Sequence, residues 1–436
     1  MSPRRLLLAA ALAAALAGAP DLASAKTILV PVTLVGGVPV PCGAERLGTC
    51  HNRWHFALHP VATAEPGDTL VFQTRDALDN QFNRTSTAAT VAAANLNRVH
   101  PLTGPVFVKG AKPGDVLAVT IEKIEPGPDR FGYTVIVPGF GFLRDVFPNP
   151  AIVRWDLDSS GAVSRDMPGV RVPMNGFTGT IGVALGPGET RVAFQREEQL
   201  RLAGGFVLPP EPHDAVPVGI CGVGGSFAGG PTPCLRTIPP RENGGNMDVK
   251  QMISGTTLLF PCFVDGCLLS TGDVHFAQGD GEVSGTAIEM NAVVTVRVDV
   301  RKGRAALGFR LPEIEGKKIP GLLKKLEPNR FLATTGIPLK PSGNRTPQEF
   351  TDGTLASLSN VAEDVTLAAR DALLNMIDLL TGPRSPAPTR LSPEQAYILS
   401  SVAVDLRISN LVDVPNFLVT AILPLDVFQG GKDDDD

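Results

Sequence analysis

Ser270-Thr271-Gly272-Asp273-Val274-His275-Phe276-Ala277-Gln278-Gly279-Asp280-Gly281-Glu282-Val283-Ser284-Gly285-Thr286-Ala287-Ile288-Glu289 is the stretch around which the chain is organised. It crowds Asp273, His275, Gln278, Asp280 and Glu282 together and separates them with glycines. A surface that needs only to be soluble does not gather acid, amide and imidazole so closely. Glycines let the backbone bend until such side chains converge. Upstream runs Pro239-Pro240-Arg241-Glu242-Asn243-Gly244-Gly245-Asn246-Met247-Asp248. Between the two, residues 257–269 are apolar and break once, at Val264-Asp265-Gly266. The layout predicts loop, strand, turn, strand, polar loop, strand. A hairpin would bring both polar loops to one end.

The chain around this stretch is β-rich. Among its 436 residues, 46 Gly and 39 Pro set many turns, and 6% aromatics with 43% hydrophobic residues suit a sizeable core. Ala64-Glu65-Pro66-Gly67-Asp68-Thr69-Leu70-Val71-Phe72 has the same form as Ala111-Lys112-Pro113-Gly114-Asp115-Val116-Leu117-Ala118-Val119. Each is a Pro-Gly-Asp turn feeding an alternating strand, so two equivalent strand entries belong to one sandwich or barrel. Helical spacing appears only late, in residues 361–380 up to Gly382-Pro383. It appears again after Ser392, where Pro393 takes the first helical position and Gln395 completes a capping box. The expectation is a mainly β fold, sandwich or barrel, with a C-terminal α+β part. Its divisions are 26–185 (N-terminal β domain), 186–238 (Gly/Pro-rich loop insertion) and 239–430 (C-terminal catalytic β and α+β region).

Both ends are read as outside the fold. Arg4 and Arg5, an apolar run over residues 6–17 and Ala23-Ser24-Ala25 have the form of a secretory signal peptide spanning 1–25. Residues 431–436 are an acidic, solvated tail. The mature chain is expected to be secreted or periplasmic, with no membrane segment left after cleavage. Six cysteines agree with an oxidising compartment. Sequence alone does not choose their pairing; nearest neighbours (Cys42 with Cys50, Cys221 with Cys234, Cys262 with Cys267) are the simplest. A net charge of −5 without a basic stripe argues against nucleic acid. A homo-oligomer is compatible with the sequence and not fixed by it. His51, His55 and His59 sit close together near Trp54, where a metal site competes with an ordinary strand and the strand is favoured.

The run Asn243-Gly244-Gly245-Asn246-Met247-Asp248, the apolar hairpin, and Gly272-Asp273, His275, Gln278-Gly279-Asp280-Gly281-Glu282 and Gly285-Thr286-Ala287-Ile288-Glu289 together resemble the acetamidase/formamidase family. Further resemblance lies in residues 74–81, 100–108, 173–184 and the C-terminal stretch; residues 27–55, 185–238 and 310–350 are its weak parts. The resemblance implies a mostly β fold. It also implies hydrolysis of small linear amides such as formamide and acetamide to carboxylate and ammonia.

The residues suggest how. There is no Gly-x-Ser-x-Gly elbow, and bridged cysteines offer no thiol nucleophile. A carboxylate- and His-rich centre remains, suited to a divalent metal, zinc or calcium, that activates water. Asp273 and His275, two apart on one side of a strand, are the expected ligands. Asp248 or Asp76 would come from a neighbouring loop. Glu282 is the first choice for proton transfer and Asp280 the second; Asn246 and Gln278 are expected to hold the substrate amide. Asp76, Asp79 and Gln81 could serve a cleft or cap a turn. Two alternatives stay open: a non-catalytic secreted relative that binds a small polar ligand, and an amidase for larger amides.

Overall fold

The structure is a computed structural model that describes residues 25–204, 206–307, 311–316, 330–337, 364–410 and 418–429. The leader up to residue 24, the acidic tail, residues 361–363 of the first expected helix and the stretch 415–417 lie outside the described residues.

The apolar run 257–269 does form two strands, Thr256–Pro261 and Leu269–His275. They do not pair with each other, so the expected hairpin is corrected. Thr256–Pro261 joins a six-stranded sheet between Val116–Pro126 and Glu313–Gly316. Leu269–His275 joins an eleven-stranded sheet, against Phe177–Gly182, Leu102–Val108 and Glu289–Met290. The reason is burial. Leu258, Phe260, Cys262, Cys267, Leu269 and Val274 all enter one apolar core shared by the two sheets. A flat hairpin would leave one set facing out. The chain therefore turns a corner at residues 262–268, through left-handed Cys267 and Leu268 (φ 54° and 60°), and the Cys262–Cys267 disulfide closes that corner.

The two sheets face each other across that core as a sandwich of open sheets; no closed barrel forms among the described residues. The two Pro-Gly-Asp copies are equivalent. Gly67 and Gly114 take the positive φ their turns need (96° and 92°), and Asp68 and Asp115 each accept the backbone N–H three residues back. The strands they feed, Thr69–Thr74 and Val116–Pro126, flank Ala292–Arg301 on either side. Strands from before and after residues 186–238 thus interlock in the same sheets. That intervening segment opens with a helix, Pro187–Leu202, which its composition did not suggest.

The C-terminal part is α+β. Helices Val365–Thr381 and Pro393–Ala403 pack beside a three-stranded sheet ordered Phe331–Gly336, Leu418–Pro424, Asp405–Asn410. Leu367, Leu373, Met376, Ile377 and Leu380 bury one stripe of the first helix, and Asp364 caps it. Ser392 and Gln395 form the capping box of the second. The bridges Cys42–Cys50 and Cys221–Cys234 are also present, so all six cysteines are paired.

Candidate active site

Four neighbouring strands and two turns build the site. Asp273 and His275 lie on Leu269–His275. Glu289 stands directly across from His275 on the adjoining strand. Phe177–Gly182 lies on the other side, and Asp248 follows the short strand Gly244–Asn246 beyond it. Asp248 can reach His275 only because residue 179 between them is glycine. A β-carbon there would stand 2.6 Å from both Asp248 Oδ1 and His275 Cε1. The Gly179 carbonyl also accepts the amides of Met247 and Asp248, which fixes the loop. Glu282 arrives on the Gly-Asp-Gly turn. Asp248, Asp273 and Glu282 all adopt left-handed backbone (φ 50°, 51° and 43°). For non-glycine residues that costs about 1 kcal/mol or more each, and such strain gathers at functional sites.

Four carboxylates converge on one imidazole nitrogen. From His275 Nε2 the distances are 3.1 Å to Asp273 Oδ1, 3.5 Å to Glu289 Oε2, 3.9 Å to Asp248 Oδ1 and 3.9 Å to Glu282 Oε1. Asp273 Oδ2 accepts the Thr180 hydroxyl at 2.9 Å and lies 3.8 Å from His100 Nδ1. Phe177 meets the His275 ring edge to face.

Burial and mutual repulsion set the protonation. Burial pushes the Asp248 carboxyl up to about 7, although His275 pulls the other way. Burial also lifts Glu282 and Glu289 well above the carboxylate range, with neighbouring acids adding to it. For Asp273 burial works upward, but His100, His275 and Thr180 outweigh it and hold that carboxyl below its ordinary range. For His275 burial works downward, but Glu289 and Asp273 outweigh it and raise the imidazole well above its usual value. His100 is pushed down by burial. So many buried acids need compensating positive charge.

The donor set fits a cation. Asp248, His275 and Glu282 form one triad and Asp273, His275 and Glu289 another, each with ligand atoms within 4.8 Å of one another. Asp248 Oδ1, Glu289 Oε2 and the Nδ1 atoms of His275 and His100 are buried without hydrogen-bond partners.

Other expected residues lie elsewhere. Asp76 is a turn cap: its Oδ1 accepts the Tyr133 hydroxyl at 2.8 Å and the amides of Leu78 and Asn80, and it belongs to neither triad. Asp79 pairs with Arg98 and accepts the Cys42 amide, and Gln81 bonds Leu78 and Asn95. Asp280 points away from His275, toward Lys250 at 3.5 Å and beside Asp405. Gln278 sits one layer back and donates to the Asp248 carbonyl at 2.9 Å, holding that loop rather than lining the cavity. Asn246 does line the cavity, and its Oδ1, 2.7 Å from the Thr180 hydroxyl, competes with Asp273 Oδ2 for that one hydrogen. The rings of His51 and His55 are taken up by bonds to Arg53, Ser270, Thr232 and Ala57, so that cluster is structural.

Sequence reasoning passed over Glu289, His100 and Gly179. Glu289 ends the quoted stretch but stands too far along the chain from His275 to be paired with it by spacing; only strand register does that. His100 lies in a matching segment and carries no local signal. Gly179 lies in the matching segment 173–184 and, having no side chain, carries no chemistry for spacing to single out.

In front of the centre lies a cavity of about 210 Å³. His100, Asn246, Asp273, Glu282 and Glu289 are among the residues that line it. Glu282 and Asp248 keep 18% of their side chains accessible, against 2% for Asp273 and 1% for His275. A buried acidic centre at the floor of a small cavity has the layout of a site for hydrolytic chemistry.

The chain is 34% identical over 369 residues to an acetamidase of Mycolicibacterium smegmatis, covering 80% of this chain and 84% of that one. It is 31% identical over 398 residues to a formamidase of Methylophilus methylotrophus, covering 88% and 91%. The solved structure of a gamma lactamase from Delftia acidovorans superposes with a TM-score of 0.77 at 31% identity, covering 93% of both chains. The sequence profile described as the Acetamidase/Formamidase family matches residues 43–430, and the chain belongs to that family.

Proposed function

We propose that the protein hydrolyses the C–N bond of small linear amides to carboxylate and ammonia at the centre around His275, assisted by a divalent cation. Membership of the family supports the reaction. The observation that carries the site is the convergence of four carboxylates on His275 Nε2 beneath the cavity.

Asp273, His275 and Glu289 would hold the cation, and Asp248 meets the same ring in the triad that includes Glu282. A mixed oxygen and imidazole set suits zinc better than calcium, which prefers six or more oxygens. When bound, the cation polarises the amide carbonyl and makes water acidic enough to attack at neutral pH. Glu282, accessible from the cavity and ionised once a cation offsets the burial and neighbouring acids that raise it, would take a proton from the attacking water and deliver it to the departing nitrogen as the C–O bond forms and the C–N bond breaks. Asn246, which shares the single Thr180 hydroxyl hydrogen with Asp273, has amide hydrogens to offer the substrate carbonyl. The deep burial of the centre strengthens each of these contacts by excluding water.

Purified protein assayed for ammonia release from formamide and acetamide, with metal content by plasma mass spectrometry, tests this. Binding of amides without ammonia release would favour the non-catalytic reading. Turnover in metal-free, chelator-treated protein would remove the cation. We also place the enzyme outside the cytoplasm, on the leader-like residues 1–25 and the three disulfides. Recovery of uncleaved protein from the cytoplasmic fraction of its host would contradict that.

A further inference from the structure

The cavity has a second face that formamide and acetamide would leave unused. Besides the acids, the cavity is lined by Leu78, Leu96, Val99, Val137, Phe140 and Ile238, an apolar wall. The wall is anchored: Leu78 and Val99 are buried in a cluster with Phe82, Tyr133 and Val135, and Leu96, Val137 and Ile238 pack against it. Phe140 is backed by Phe206, edge to face at 5.2 Å. At about 30 Å³ per water-sized group, a cavity of 210 Å³ holds roughly seven. An amide bearing one methyl fills about half of it. The remainder would be water against side chains that offer no hydrogen bonds, and displacing such water with an apolar group is favourable.

We propose that the substrates this enzyme prefers are primary amides whose carbonyl carries an apolar group of about four carbons, such as isovaleramide, over formamide and acetamide. The proposal rests on the amidase reading of the same centre. The amide group sits against Glu282 and Asn246, and the alkyl group lies on the wall formed by Val99, Val137 and Ile238. Each methylene laid there raises kcat/KM about fourfold, the equivalent of about 0.8 kcal/mol per CH₂, until the cavity is full.

The test is kcat/KM for ammonia release across formamide, acetamide, propionamide, butyramide, isovaleramide, hexanamide and octanamide. The expected profile climbs to isovaleramide and falls by octanamide. Val137→Phe, which fills the wall side, should lower the isovaleramide-to-acetamide ratio at least tenfold; Ile238→Phe serves if the first variant does not fold. A profile that peaks at formamide or acetamide overturns the proposal and leaves the amidase reading standing. Release of ammonia from no amide overturns the amidase reading, and this proposal with it.

Discussion

Gly179→Ala tests the geometry of the centre with a single methyl group. The backbone at Gly179 is not left-handed, so alanine can adopt it, and the whole effect is steric. The new β-carbon would stand 2.6 Å from Asp248 Oδ1, 2.6 Å from His275 Cε1 and 2.8 Å from His275 Nε2, where ordinary contact begins at 3.4 Å. Asp248 and His275 must therefore part from it by about 0.8 Å. A misplacement of about 1 Å in a catalytic constellation costs about 10²-fold in rate, or about 2.7 kcal/mol of barrier. Overpacking of this kind costs roughly 1–3 kcal/mol in stability, so the variant should still fold. The assay is kcat/KM for ammonia release beside a thermal melt. Gly176→Ala is the control. Its β-carbon would meet Ile124 Cγ2 and Met174 Cε at 3.2 Å, only a few tenths of an ångström tight and against no side chain of the centre, and should leave kcat/KM within about threefold. A folded Gly179→Ala protein with kcat/KM within about threefold of the parent would refute the reasoning that Asp248 and His275 act together over Gly179.

Three further expectations follow from the same contacts. Glu282→Gln should keep the fold and slow turnover by roughly two to four orders of magnitude. Asp280→Asn, at a carboxylate turned toward Lys250, should change it little, and the reverse pattern in kinetics would exchange their roles. His275→Ala should lose bound metal and activity together by plasma mass spectrometry and assay, whereas Asp76→Asn, a turn cap, should retain its metal; full metal content in His275→Ala would move the cation away from that ring. His51, buried and bonded to Arg53 and Ser270, is driven by burial from 6.5 down to about 4. The unfolded chain therefore binds the extra proton first. The stability that His51 confers is present above pH 6.5 and falls as pH drops through 4, by up to about 3 kcal/mol. Urea unfolding across that range should show a shallower acid loss in His51→Gln, and identical slopes would sink the assignment.

Much of the fold could be read along the chain because its signals are local. The Pro-Gly-Asp turns work through a glycine at positive φ and an aspartate that caps its own turn, and no distant residue takes part. The caps at Asp364 and Ser392 involve only their own helix. The alternation of residues 69–74 and 292–300 declares which side of each strand is buried. The disulfides join cysteines already close in sequence. Asp273, His275 and Glu282 stood out for the same reason, being gathered by one glycine-rich stretch.

Pairing between strands was not written locally, and that is where reading from sequence stopped. The Val264-Asp265-Gly266 turn looks like a hairpin, yet the chain crosses there from one sheet to the other, because the apolar faces of both strands are buried in one core. Glu289 reaches His275 through strand register, His100 reaches Asp273 from a separate part of the chain, and Asp248 meets His275 across a strand whose residue 179 has no side chain. Asp76 and Asp280 carry the same carboxyl group as the residues of the centre, but Tyr133 and Lys250 hold them elsewhere. The sequence by itself determined the turns, the caps and the identity of the charged stretch, since each depends on neighbours along the backbone. Only the tertiary structure decided which carboxylates share one imidazole, because that depends on how sheets pack, and packing is set by the whole core at once.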